Sequence, residues 1–186
     1  MKWIRVVPAG IAMLAVGALF FLGGCTDESS RAVLTVVSLN DGNAFYSDII
    51  NEADSQHIYI PVDAVKFTLG NIPNDGGAPL AAGSPFSEIV VTGYNVTWQN
   101  GTFSPISGGL SLRIPSGGTV DGSITLDSPS EKASYYGTLN TITDIATVTF
   151  FGYNRINGSN NGDQVSAFGK LTVQVDNFGD NDNPTP

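Results

Sequence analysis

The chain has 186 residues, with 17 acidic against 8 basic side chains, one histidine and one cysteine. A formal charge of −9 repels a phosphate backbone, so nucleic acid is not an expected partner. A lone cysteine excludes an intramolecular disulfide and a thiolate metal cluster, and a lone histidine excludes a histidine-rich zinc site.

In chain order the first element is Met1-Lys2-Trp3-Ile4-Arg5 followed by a charge-free run from Val6 to Gly24. Its length suits a membrane helix, but its flanks do not. The basic residues precede the run, small residues close it, and the acids Asp27 and Glu28 follow. That order is the pattern of a cleaved export signal. Leu22-Gly23-Gly24-Cys25 resembles the lipobox of bacterial lipoproteins, an aliphatic residue and two small ones before cysteine. The resemblance implies cleavage before Cys25 and diacylglyceryl transfer to its thiol. Each buried acyl methylene adds about 0.8 kcal/mol, so two or three chains hold a protein stably where one does not. Thr26 follows the cysteine where the family's inner-membrane signal has aspartate, so the resemblance points to the outer membrane of the cell envelope. The implied organisation is a signal peptide over residues 1–24, a lipidated cysteine and tether over 25–31, a domain over 32–179, and a polar tail over 180–186.

The domain reads as strands and turns. Residues 33–39 form a first apolar run, closed by the Asp-Gly turn signal of residues 40–43; residues 44–57 are ambiguous between a loop and a short helical turn. Residues 58–69 form a strand whose start Pro61 places at a sheet edge. The strongest strand spans residues 87–99. Strict alternation there puts Val91, Gly93, Asn95 and Thr97 on one face, and Val90, Tyr94, Val96 and Trp98 on a core face. Residues 109–115 and 119–126 are shorter strands, and 127–141 a loop. In residues 144–154, Ile145, Thr147, Thr149 and Phe151 alternate against Ala146, Val148 and Phe150. Residues 165–175 return with Leu171, Val173 and Val175 on one face. About seven strands at turn-punctuated spacing, with no clear amphipathic helix, predict an all-β sandwich.

The stretch Val91–Trp98 and the closing hairpin of residues 146–154 and 169–175 resemble a fibronectin type III or bacterial immunoglobulin-like domain. The resemblance covers about half of the mature chain. It departs from that fold in having Phe67 where a tryptophan is usual, and no cysteine pair.

No catalytic constellation stands out. His57 borders a polar loop, without a glycine-flanked serine elsewhere to complete a triad. Glu88 and Glu131 read as solvated charges rather than a glycosidase pair. Asp176, Asp180 and Asp182, interleaved with asparagines, are a weak candidate calcium site. The segment Asn181–Pro184 is similar to the inter-domain calcium linkers of cadherins over those four residues. Trp98 reads as core, whereas Tyr135 and Tyr136, in a loop, are freer to stack on a sugar. The Asn-X-Ser/Thr triplets at Asn95, Asn100 and Asn157 read as strand and turn composition. The expectation is a non-enzymatic, lipid-anchored envelope module that binds a protein or helps build a surface assembly. The alternatives are a calcium- or glycan-dependent adhesion module and, third, an envelope hydrolase.

Overall fold

The computed structural model describes residues 32–50, 59–74, 87–137, 141–155 and 162–178. Among the described residues, eight strands make up two sheets: β1 (Ala32–Leu39), β2 (Phe45–Asp48), β3 (Ala64–Pro73), β4 (Glu88–Trp98), β5 (Ile106–Ile114), β6 (Thr119–Thr125), β7 (Ile142–Arg155) and β8 (Gln164–Asp176). One sheet has the order β1-β3-β6 and the other β2-β8-β7-β4-β5. All pairings are antiparallel except β2 with β8, which is parallel. The chain is therefore all-β, as its composition predicts.

The inward faces of both sheets build one core. Leu34, Val65, Phe67 and Leu69 come from the three-stranded sheet; Val91, Val96, Val148, Phe150 and Val173 come from the five-stranded one. Phe67 and Phe150 meet across it with ring centroids 4.7 Å apart. Each such side chain contributes about 1.5–3 kcal/mol by leaving water. Two polar side chains also link the sheets. The Tyr94 hydroxyl donates to the Thr125 carbonyl at 3.3 Å. Asn71 Nδ2 donates to the carbonyls of Ser87 at 2.8 Å and Ile114 at 3.0 Å.

Four features differ from the sequence reading. The ambiguous segment after residue 43 contains β2, which runs beside β8. The Asp-Gly turn makes this strand: Asn40, Asp41 and Gly42 all take positive φ (47°, 53° and 80°), which carries the chain from one sheet to the other. An Asn40 Nδ2 bond to the Ala44 carbonyl, at 2.8 Å, closes the turn. The next strand starts at Ala64 rather than residue 58.

In β4, Ile89 and Val91 face the core and Val90 does not, the reverse of strict alternation. The register shifts between Val91 and Gly93, and this extra residue flips the phase of everything before it. Finally, the segment read as a loop after residue 126 holds a short helix, α1 (Pro129–Lys132), and a 3₁₀ turn over Ala133–Tyr135.

Candidate functional site

Two regions concentrate the polar chemistry of the described residues. The first is the corner at α1. Ser128 caps the helix, Pro129 opens it and Glu131 stands three residues after the cap, with the Glu131 N–H donating to Ser128 Oγ at 3.4 Å. This is the capping-box spacing with proline at the first helical position. It fixes Lys132 at the inner end of the turn, where its side chain is fully buried.

A buried ammonium persists only if its protons and its charge are both matched. Lys132 Nζ donates to the Asp63 carboxylate, to the Pro61 carbonyl at 2.9 Å and to the Asp48 carbonyl at 3.1 Å. Its three protons are thereby satisfied. Asp127 lies 3.8 Å away, equally buried. Ser47 Oγ sits between the two carboxylates, 2.6 Å from Asp63 Oδ2 and 3.2 Å from Asp127 Oδ2. One cation thus serves two anions. Burial pushes the Asp127 carboxyl up, Lys132 pulls it down, and Asp63 pushes it up again, leaving it at about 6. The cluster ties together β2, the entry to β3, the end of β6 and α1. An ammonium held by three acceptors has no free lone pair, so Lys132 is a clamp and not a nucleophile.

The corner also grips the turn after β4. Glu131 accepts the Ser104 N–H at 3.0 Å. The Tyr135 hydroxyl donates to the Thr102 carbonyl, and its ring stands edge-on to Phe103, which in turn packs on Trp98. From beneath, the buried Asp144 carboxylate accepts the N–H groups of Asn100 (3.0 Å), Thr102 (3.2 Å) and Ile145 (2.7 Å), and the Thr102 hydroxyl (2.7 Å). Burial opposes its ionisation. The Thr102 hydroxyl and the three backbone donors outweigh that and hold the carboxyl below its ordinary value.

The second region is the outer face of the five-stranded sheet. Directly opposed residues share a face, so the register assigns its rows. One row is Arg113–Val90–Tyr153–Gln164, the next Gly109–Gly93–Phe151–Ser166, and the third Ser107–Asn95–Thr149–Phe168. Thr97–Thr147–Lys170, Ile145–Thr172 and Tyr46–Gln174–Thr143 follow. None of the six rows carries a carboxylate. Acids flank them: Glu88, paired to Arg155 at 3.0 Å, at one end, and the opposed Asp48 and Asp176 at the other. Phe151 is 42 % exposed and Phe168 67 %. The Phe151 ring reaches over β4, where a β-carbon on Gly93 would lie 2.7 Å from its Cζ. An open depression of about 680 Å³ beside it is lined by Thr92, Tyr153, Gln164 and Ser166 among others.

The residues singled out from sequence fall as follows. Cys25, His57, Asn157, Asp180 and Asp182 lie outside the described residues. Asp176, the remaining member of the acidic tail cluster, already accepts the Thr141 hydroxyl and the Asn177 N–H, the latter at 2.8 Å. Among the described residues no group of three or more metal-ligating side chains converges. Trp98 is buried, as read from its strand face. Glu88 and Glu131 are held in an ion pair and a helix cap rather than left to solvent. Tyr135 is pinned against Phe103, leaving Tyr136, 62 % exposed, as the free tyrosine of that loop. The cluster of buried Ser47, Asp127 and Lys132 with part-buried Asp63 was missed. The Ser-Pro-Ser-Glu capping signal could have located α1, but not the partners of Lys132.

No protein-family model matches the chain, and no curated protein matches it. Among solved structures, the solution structure of a candidate late embryogenesis abundant (LEA) protein is similar over 87 % of this chain and 82 % of its own, at 12 % identity and a TM-score of 0.42.

Proposed function

We propose that this protein is a lipid-anchored, non-catalytic binding module of the bacterial cell envelope, built on an immunoglobulin-like, fibronectin type III-like sandwich. The sandwich reading is supported by strand order. With β1, β3 and β6 taken as strands A, B and E, and β4, β7 and β8 as C, F and G, the two sheets follow that fold's partition, and β5 takes the C′ position beside C. The anchor reading rests on Leu22-Gly23-Gly24-Cys25 and the export signal before it.

The observation that carries the binding reading is the outer face of the five-stranded sheet. It leaves two phenylalanines in solvent among six rows without a carboxylate, in a chain whose acids outnumber its bases by 17 to 8. Exposed aromatics on a rigid sheet are surface kept for contact. The buried corner, by contrast, is occupied in holding the chain together.

The anchor is tested with Cys25→Ser in the full chain, labelled in cells with a palmitate analogue. The variant is expected to take no label and to leave the membrane fraction. Retention at the wild-type level after detergent extraction would overturn lipid anchoring.

A further inference from the structure

We infer that the outer face of the five-stranded sheet binds a neutral, β-linked pyranose glycan, with Phe151 and Phe168 as its stacking platforms. This rests on the binding-module reading above and names its ligand class.

The two rings are diagonal neighbours, since Phe151 opposes Ser166 and Phe168 stands two residues further along β8. Their β-carbons are therefore about 7 Å apart. The absence of a side chain on Gly93 gives the Phe151 ring its place across β4. Between and beside the rings the face offers hydroxyls and amides: Thr92, Asn95, Thr149 and Ser166.

A β-linked pyranose matches that inventory. Its axial C–H face is apolar and packs on an aromatic ring, while its rim hydroxyls both donate and accept. Other ligand classes fit less well. Six rows without a carboxylate provide nothing to hold a metal cation. Lys170 and Arg113 are separated by two rows of Gly, Ser, Asn, Thr and Phe, too few and too far apart to fix a polyanion. A protein partner wants a continuous apolar centre, whereas these two rings are set among hydroxyl groups.

The test titrates cello- and chito-oligosaccharides into the detergent-solubilised full chain by calorimetry, with polygalacturonate as the charged control. At least one neutral series is expected to bind, and polygalacturonate is not. Phe168→Ala and Phe151→Ala should each weaken binding about tenfold, and Phe168→Ala, at the more exposed ring, should do so without moving the unfolding midpoint. Tyr136→Ala, equally exposed but on the α1 corner, should not weaken it. Failure of both neutral series to bind, or binding indifferent to both phenylalanines, would overturn the proposal. A photo-crosslinker in place of Phe168, used in cells, separates the two readings. If the glycans fail but the crosslinker joins a specific envelope protein, the glycan is wrong and the binding module stands. If neither occurs, both fall.

Discussion

Asp127 and Asp144 are equally hidden from solvent, each 1 % exposed, yet their carboxyls shift in opposite directions. Asp144 sits under a turn whose N–H groups converge on it, and it receives two of them, the Ile145 N–H and a hydroxyl. Asp127 shares one serine proton and one ammonium with a second carboxylate. Burial penalises both charges, and the number of donors decides the outcome. The Asn100–Thr102 turn is thus built on a satisfied anion. The α1 corner is built on a cation that is oversubscribed.

The comparison breaks most severely at the cation. Lys132→Met strands the buried Asp127 and the part-buried Asp63 around Ser47, and its cost should be about 3–5 kcal/mol in urea unfolding at pH 7. A loss under about 1 kcal/mol would mean that the corner does not depend on the ion cluster.

The next effect lies in the two aspartates and has opposite signs. Asp144→Asn replaces one acceptor oxygen with a donor that faces other donors, and should cost about 2 kcal/mol at pH 7. Because the Asp144 carboxyl is lowered in the folded state, its stabilisation is present above its ordinary value of 3.8 and fades as pH falls below it. The Asp127 carboxyl is raised, so its contribution is full below 3.8 and is lost as pH rises through about 6. Asp127→Asn leaves Lys132 paired to Asp63 alone. It should stabilise the protein by about 1 kcal/mol at pH 7 and flatten the pH dependence between 4 and 6. Unfolding midpoints of the wild type and both variants across pH 3–8 read out the contrast. An Asp127→Asn curve with the wild-type slope would show that another group titrates in that window.

The smallest effect sharpens the link from helix to clamp. Ser128→Ala removes the α1 cap and should cost roughly 0.5–1 kcal/mol, because the helix positions Lys132 but is itself only one turn long. A cost approaching that of Lys132→Met would show that capping, rather than the ion pairs, holds the corner.

Much of the fold was legible where the pattern is local. Ala146, Val148 and Phe150 alternate with Phe151 and the threonines of β7, and Leu171, Val173 and Val175 mark one face of β8; all six apolar residues are in the core. Trp98 was legible for the same reason. Alternation failed at Val90 and Val91, because the bulge before Gly93 shifts their phase; a glycine inside the strand hints at such a bulge, but pairing with β5 and β7 fixes it. β2 was missed because four residues, Phe45–Asp48, carry too short a pattern, and their partner strand lies more than 120 residues away.

The candidate sites divide in the same way. Two solvent-facing phenylalanines follow from a period of two once a core face is chosen. Choosing that face is a matter of packing, and the rows without a carboxylate emerge only when strands β4, β5, β7 and β8 are laid side by side. The sequence by itself determined the all-β class and most strand faces, because these depend on residues next to one another. Only the tertiary structure decided that Lys132 is buried between Asp63 and Asp127, that Asp144 supports a turn over 40 residues before it, and that Phe151 finds room above Gly93. Those are contacts between distant parts of the chain, and a charge or a ring acquires its meaning only from the neighbours that folding brings to it.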